Sequence, residues 1–207
     1  MNVLIVAATD FEIEPFIQEK KKADILVTGV GIPATIFHLT KKLLAKNYDL
    51  VIQAGIAGTF AETFNLAEVV AVKEDCFADI GIEEKGQLNT LFDMGFLKNN
   101  DFPFSDGKLI NSSKIIETIS LPKARAVTVN KISDDDFHNK MMQKKFAAQI
   151  ESMEGAAFHY VCLQQKINFL QLRSISNRVG ERDKSKWELK TSIENLNNQL
   201  LKIFDNL

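Results

Sequence analysis

Three stretches of this 207-residue chain place acidic or amide side chains where an enzyme could use them. Glu12 follows the first apolar run, Glu154 stands at a predicted strand-to-helix turn, and a polar segment runs from Asn177 to Asp183. Carboxylates can transfer protons or hold hydroxyl groups, and an amide can read the edge of a heterocyclic base. Each has a structural alternative: an acid favoured by the helix dipole, a tight turn, and a solvated loop.

The elements that must position these residues alternate between strands and helices. Short apolar runs predict strands at 3–8, 24–30, 50–54, 124–129 and 169–175. Apolar residues at helical spacing predict helices near 11–17, 33–46, 134–149 and 156–165, with a last helix beginning near Ser185. The segment 86–108 is rich in Asn, Asp, Gly and Phe and predicts a loop or insertion. The pattern predicts a single α/β domain over residues 1–207, a three-layer sandwich with a central, mostly parallel mixed sheet flanked by helices.

The charge balance argues against a general nucleic-acid binder. The chain has 25 Lys and Arg against 27 Asp and Glu, whereas broad affinity for polyanions needs a clustered cationic surface. No apolar run approaches the roughly 20 residues that cross a bilayer, and the amino terminus lacks the basic region of a signal peptide. These features predict a soluble, cytoplasmic protein that binds neither nucleic acid nor membranes.

Metal and cofactor motifs are weak or missing in the sequence. Neither the two cysteines nor the three histidines have the spacing of a metal site, so we expect no metal and no organic cofactor. Gly29, Gly31 and Ala34 follow a strand and open a helix, which superficially matches the dinucleotide fingerprint. The acid that such a site needs at the end of the next strand is missing there, and Gln53 lies near that end. We therefore expect a tight turn that lines some other site.

Taken together, the motifs resemble the nucleoside phosphorylase and nucleosidase superfamily. The resemblance covers nearly the whole chain and rests on 8-ATDFE-12, 28-TGVG-31, 55-GIAG-58, 152-SMEGAA-157 and 173-RSISN-177. Within it, the segment 174-SISNRVGERDKSKW-187 is most similar to the futalosine hydrolase family, whose members remove hypoxanthine from futalosine in the alternative menaquinone pathway.

The resemblance implies a role for each acid. Glu154 would bind the ribose hydroxyls with Met153 packed against the sugar, and Glu12 would orient or deprotonate the attacking water. Such groups stabilise the positively charged, oxocarbenium-like ribose through which N-glycosidic cleavage passes. The segment Ile56, Ala57 and Gly58 would line the site.

Hydrolysis is favoured over phosphorolysis because the chain has no arginine before Arg125. The superfamily's phosphorylases hold phosphate with a glycine-and-arginine loop after the first strand, and here that loop carries Glu12, which would repel a phosphate dianion.

The resemblance also implies which residues contact the base. Val129 and Asn130 resemble the base-binding segment, and Asn177 stands where adenine-cleaving members have Asp. An amide can donate to O6 and N7 of a 6-oxopurine but cannot supply a proton, so we expect a preference for hypoxanthine over adenine. Protonation of the leaving base would then come from water or from Asp183.

Three matters stay open from the sequence. The benzoate of futalosine could contact the loop 86–108, with its residues Leu91, Phe92, Phe96 and Phe104, although these could equally pack a subunit interface. The superfamily commonly forms dimers or larger rings, so the resemblance implies a homo-oligomer. The alternatives are a methylthioadenosine/adenosylhomocysteine nucleosidase, a purine nucleoside phosphorylase, or a catalytically silent nucleoside-binding protein.

Overall fold

The fold, known from a computed structural model, is described for residues 1–60, 62 and 64–207 and alternates strands with helices. The strands are β1 (Val3–Ala7), β2 (Asp24–Val27), β3 (Leu50–Thr59), β4 (Val69–Asp75), β5 (Gly81–Glu84), β6 (Gln87–Thr90), β7 (Leu109–Ile110), β8 (Lys123–Thr128), β9 (Ile150–Ser152) and β10 (Phe169–Arg178). The helices are α1 (Asp10–Gln18), α2 (Ile32–Ala45), α3 (Lys114–Thr118), α4 (Asp136–Phe146), α5 (Gly155–Gln164) and α6 (Leu189–Phe204).

The main sheet is mixed and closes on itself. β1 pairs in parallel with β2 and β3, and β3 pairs in parallel with β10. From β10 the sheet continues through antiparallel β4 to parallel β8 and β9, and β9 returns to β3 as an antiparallel neighbour. β3, β10, β4, β8 and β9 therefore enclose a barrel from which β1 and β2 extend. The prediction of a mixed α/β fold is confirmed. The predicted three-layer sandwich is wrong, because β3 pairs with both β10 and β9 and so closes the sheet into a barrel.

β3 loses its neighbour on one edge halfway along its length. β10 runs beside residues 51–59, so β1 and β9 both pair with the opposite edge. β1 pairs there with residues 50–53, and β9 pairs with residues 58 and 59. No strand of the described residues pairs with residues 54–57 on that edge, and a crevice opens between β1 and β9. Ligand sites of α/β sheets lie in such crevices, beyond the carboxyl ends of diverging strands.

Both faces of β1 are buried, as its continuous apolar sequence predicts. Ile5 packs with Phe16 of α1 and Leu196 of α6, whereas Leu4 lies on the other face with Leu39 of α2. Helices thus cover β1 from two sides and fix the turn that leads from β1 into α1.

The segment 86–108 was predicted to be a loop or insertion, and it consists mostly of turns and bends, apart from β6 at its start, which pairs with β5 as a hairpin. The last helix begins at Leu189 rather than near Ser185, because the carboxylate of Asp183 accepts hydrogen bonds from the backbone N–H (3.0 Å) and hydroxyl (2.7 Å) of Ser185. Residues 184–186 consequently form a 3-10 turn. Within the described part of the chain, no helix combines the length and apolar character needed to cross a membrane.

Candidate active site

A cavity of about 390 Å³ opens at the crevice beside β3. Ile56, Ala57 and Gly58 of β3 line it, together with the acids Glu12 and Glu154. Its apolar lining includes Phe11, Val30, Ile132, Trp187 and Leu189. A concave, mainly apolar space with a few polar groups is the usual form of a small-molecule site.

Glu12 lies in the first turn of α1 and is 7% exposed. One carboxylate oxygen accepts hydrogen bonds from the backbone N–H (3.2 Å) and hydroxyl (3.1 Å) of Thr9. The other accepts from the backbone N–H of Ile56 at 3.0 Å, on the part of β3 that lacks a strand partner. Burial raises the pKa of Glu12 above its ordinary value, and the nearby charge of Arg173 opposes this rise. A carboxylate whose pKa is raised in this way is a stronger proton acceptor.

Glu154 immediately precedes α5 and is 5% exposed. One carboxylate oxygen accepts a hydrogen bond from the backbone N–H of Gly31 at 3.0 Å, and the other lies 3.5 Å from the Arg173 guanidinium. The glycine turn after β2 therefore lines the site by presenting an N–H group to a carboxylate.

Arg173 connects the two acids. It is 1% exposed on β10, and its guanidinium donates to the backbone carbonyl of Ile56 (3.3 Å) and to the side-chain oxygen of Gln53 (3.1 Å). Its guanidinium forms an ion pair with Glu154. Its positive charge also acts on Glu12, where it partly offsets the rise in pKa that burial causes. Arg173 opens the motif 173-RSISN-177, but no role was predicted for it. The available signal was a single charged residue within the otherwise uncharged strand 169–175.

Gly55 allows this arrangement because it has no side chain. A Cβ atom at this position would lie 2.5 Å from a guanidinium nitrogen of Arg173 and 2.8 Å from a carboxylate oxygen of Glu12. Both separations are shorter than any ordinary van der Waals contact, so a larger residue would push the two charged groups apart.

Asn177 lies near the end of β10, beside Gly58 of β3, and lines the cavity. Its side-chain oxygen accepts a hydrogen bond from the Ser176 hydroxyl (2.7 Å), and its NH2 group donates to the backbone carbonyl of Arg178 (2.8 Å). These local contacts hold the amide at the cavity surface.

Glu151, a residue that the sequence analysis did not single out, also lines the cavity. It is the central residue of β9, is 8% exposed and has a pKa raised to about 7, mainly by burial and further by the negative charge of Asp79. Strongly shifted acids in a cavity are candidates for functional groups.

A buried polar layer supports the start of α5. The carboxyl group of Asp75 accepts hydrogen bonds from the Thr128 hydroxyl (2.9 Å) and the Gln171 amide (3.3 Å), and burial raises its pKa to about 7. The Thr128 oxygen in turn accepts from the backbone N–H of Ala156 at 2.7 Å. This layer fixes the turn that carries Glu154.

The structure brings most of the predicted site residues to the cavity. Seven of them line it: Glu12, Ile56, Ala57, Gly58, Met153, Glu154 and Asn177. Val129 is instead buried in a hydrophobic cluster, and Asn130 is exposed and bonded to Asp79. Asp183 is exposed and caps the 3-10 turn. These three residues lie outside the cavity lining because their side chains belong to the core, a surface contact and a turn.

The predicted benzoate-binding residues lie around a different space. Leu91, Phe92 and Phe104 line a separate cavity of about 30 Å³, with Phe92 and Phe104 in edge-to-face contact. Phe96 is 75% exposed. In residues 1–60, 62 and 64–207, no group of three or more His, Cys, Asp or Glu side chains could hold a metal ion.

The family model named Phosphorylase superfamily matches residues 9–207, which is nearly the whole chain. The chain belongs to the phosphorylase superfamily. The superfamily match includes every residue named above as lining the cavity.

Curated relatives carry two different names. The chain is 27% identical over 179 residues to futalosine hydrolase of Thermus thermophilus, which covers 83% of this chain and 76% of that protein. It is 26% identical over 196 residues to the 5′-methylthioadenosine/S-adenosylhomocysteine nucleosidase of Tolumonas auensis, covering 91% of this chain and 81% of that protein.

Solved structures of the superfamily share the fold over the full chain. A mutant Helicobacter pylori 5′-methylthioadenosine nucleosidase with 5′-methylthioadenosine in its active site has a TM-score of 0.83 at 17% identity, covering 100% of this chain and 99% of that one. Native futalosine hydrolase of Helicobacter pylori has a TM-score of 0.82 at 16% identity, covering 100% and 98%. The two kinds of relative are thus equally similar to this member in fold.

Proposed function

We propose that this protein is a purine nucleosidase that hydrolyses the N-glycosidic bond of futalosine and releases hypoxanthine and dehypoxanthine futalosine, in the alternative menaquinone pathway. The proposal is carried by one observation: buried Glu12 and Glu154 are joined through Arg173 at a cavity that Asn177 also lines. Both kinds of named relative are nucleosidases, which are N-glycosyl hydrolases.

The two acids divide the work at the ribose. Glu12, with its raised pKa, accepts a proton from the water that attacks the anomeric carbon. Glu154 holds the ribose hydroxyl groups, and its negative charge stabilises the oxocarbenium-like transition state. Arg173 fixes Glu154 by an ion pair, and its positive charge opposes the rise that burial causes in the pKa of Glu12.

Water is a better nucleophile for this cavity than phosphate. Among the described residues, the lining includes the carboxylates of Glu12, Glu151 and Glu154 but one cationic side chain, Lys184. The Arg173 guanidinium is engaged with protein oxygens. Phosphate binding needs bidentate donors and an electropositive site. The acidic lining and the engaged arginine therefore disfavour phosphate.

Asn177 supports selection of a 6-oxopurine. One hydrogen of its NH2 group is donated to the Arg178 carbonyl, and the other can be donated to O6, whereas adenine presents a donor at the 6-position. A site built for one pattern of hydrogen bonds leaves buried groups unpaired with the other, which discriminates strongly.

Lys184 is the group that we assign to the benzoate end of futalosine. Its side chain lines the same cavity as the apolar residues Phe11 and Leu189, so a benzoate could pack its ring on the wall and pair its carboxylate with the ammonium group. Replacing Lys184 with Met should raise the KM for futalosine and leave the KM for inosine, which has no carboxylate, unchanged.

A methylthioadenosine/adenosylhomocysteine nucleosidase is the second candidate. It is favoured by the 26% identity to the Tolumonas auensis enzyme, which is close to the value for futalosine hydrolase. A homo-oligomer, dimer or larger, remains a prediction for either activity.

The decisive experiment measures base release from futalosine and from its 6-amino counterpart, with and without phosphate. Rapid release of hypoxanthine in phosphate-free buffer, with little adenine, is the expected result. Preferential release of adenine would identify the second candidate, and release that requires phosphate would identify a phosphorylase.

Glu12→Gln is the matched variant for the same assay. It keeps the size of the side chain but cannot accept the proton of water, so kcat should fall by roughly 10²–10⁴-fold with little change in KM. If neither the native chain nor this variant released any base while both bound the nucleoside, the protein would be a binding protein without catalytic activity.

A further inference from the structure

Three neighbouring strands align an amide, a glycine and an acid in one row across the sheet. Asn177 of β10 is paired with Gly58 of β3, and Gly58 is paired on its other edge with Glu151 of β9. Paired residues of adjacent strands direct their side chains to the same face of a sheet. Since strands lie about 4.8 Å apart, the backbones of Asn177 and Glu151 are roughly 10 Å apart, with no side chain between them.

Gly58 keeps this row open toward the ligand. A Cβ atom at this position would lie 3.4 Å from the amide nitrogen of Asn177 and 3.0 Å from a methyl group of Val179. Gly58 is also two residues along β3 from Ile56, whose N–H holds Glu12, a separation of roughly 7 Å. The row of Asn177, Gly58 and Glu151 therefore lies next to Glu12, which acts at the ribose, and can contact the flat base that is attached to the ribose.

Glu151 is buried in this row beside the cavity. Its side chain lines both the main cavity and an adjoining cavity of about 50 Å³. No hydrogen bond or ion pair to its carboxyl group is found among residues 1–60, 62 and 64–207. A buried, unpaired acid destabilises a fold, so its presence beside a ligand cavity calls for a functional explanation.

We propose that Glu151 is the catalytic acid that protonates the departing purine base. The proposal rests on the nucleosidase function proposed above and supplies what Asn177 cannot, because an amide does not release a proton. Asp183, the other acid considered from the sequence, is exposed and engaged by Ser185.

The proton balance of the reaction is complete with these residues. As the bond between the anomeric carbon and N9 breaks, its electron pair moves into the imidazole ring, and N7 takes the proton of Glu151. Water forms the new bond to the anomeric carbon and gives its proton to Glu12. The base leaves neutral, and solvent returns Glu12 and Glu151 to their starting protonation states.

The electrostatics agree with this role. The raised pKa of Glu151, about 7, leaves about half of the chains with a protonated acid at neutral pH. Asp79, between β4 and β5, contributes to the rise. The other charged side chains that line the two cavities are Glu12, Glu154, Glu181, Arg182 and Lys184.

The test compares the native protein with Glu151→Gln over a range of pH, using futalosine or whichever nucleoside the native protein cleaves. Gln keeps the shape and the hydrogen-bonding capacity but not the acidic proton. We expect kcat to fall by about 10²–10⁴-fold, KM to change little, and the alkaline loss of activity near pH 7 to disappear. The melting temperature should be unchanged or higher, since the variant removes an unpaired buried acid.

Asp79→Asn provides a second, independent readout with Glu151 intact. Removing the Asp79 charge lowers the pKa of Glu151, so the alkaline limb of the pH profile should move to lower pH. A Glu151→Gln protein that retains its activity with the alkaline limb in place would overturn the assignment, as would an unmoved limb in Asp79→Asn. No activity in the native protein would instead contradict the nucleosidase function itself.

Discussion

The central ion pair of the site gives the sharpest prediction for stability. Arg173 lies 3.5 Å from Glu154, and both side chains are almost fully buried. At an effective dielectric constant of 20, this separation corresponds to an attraction of about 5 kcal/mol. Arg173→Met keeps much of the side-chain volume but leaves the two acids without a counter-charge, so we expect the free energy of unfolding to fall by about 3–5 kcal/mol.

The loss should grow with pH. Arg173 lowers the pKa of Glu12, so its removal lets folded Glu12 keep a proton to a higher pH than the unfolded chain does. A group whose pKa is raised by folding contributes stability that is lost as the pH rises through the folded-state value. Urea unfolding of Arg173→Met should therefore show a smaller deficit at pH 5 than at pH 8.

Two further variants decide whether the ion pair is the cause. Arg173→Met combined with Glu154→Gln removes both charges, while the Gln oxygen can still accept from Gly31, so about 2 kcal/mol or more should be recovered. Arg125→Met removes an exposed arginine and should cost about 1 kcal/mol or less. The reasoning would be refuted if Arg173→Met were within 1 kcal/mol of the native protein in stability, or if the double variant were no more stable than Arg173→Met.

Three other changes test the base end and the buried layer. Asn177→Asp should shift the ratio of kcat/KM toward the 6-amino substrate, because a carboxylic acid can both donate to N7 and accept from the amine; an unchanged ratio of released bases would contradict this. Gly58→Ala places a methyl group 3.4 Å from the Asn177 amide and should lower kcat/KM about tenfold. The free energy of unfolding, measured in urea, should fall by no more than about 1–3 kcal/mol. Because Asp75 has a pKa raised from 3.8 to about 7, native stability should fall by up to about 4 kcal/mol as the pH rises between those values. Asp75→Asn should flatten that part of the urea-unfolding profile, and an unaltered slope would assign it to other groups.

The order of elements could be predicted because it depends on local sequence. Apolar runs and helical spacing locate β1, β8, α2 and α5 within a few residues. The apolar run predicted that β3 ends at Ala54, and glycines such as Gly55 and Gly58 are unfavourable within strands and mark close approaches. It continues to Thr59 because pairing with β10 and β9 outweighs that preference. The closure of the barrel depends on these same distant pairings, and no local pattern encodes them.

The site residues likewise differ in whether local sequence or distant strand pairing reveals them. Glu12 and Glu154 could be found because each follows a strand in a recognisable motif. Arg173 and Glu151 lie within strands, and only the three-dimensional structure shows that Arg173 pairs with Glu154 and that Glu151 lines the cavity. The glycines at 55 and 58 of that strand are explained by these neighbours, since side chains there would occupy the space of Arg173, Glu12 and Asn177.

The break in the pairing of β3 also explains why the two central acids are so firmly held. Ile56 has no strand on one edge, so its N–H must find another acceptor, and Glu12 provides it. The Gly31 N–H is satisfied by Glu154 in the same way. Both carboxylates are consequently fixed at both oxygens by the protein, Glu12 by Thr9 and Ile56 and Glu154 by Gly31 and Arg173. The same two carboxylates that accept hydrogen bonds from the backbone also face the ligand. Because the protein already holds them in place, the reaction requires little reorganisation of the site.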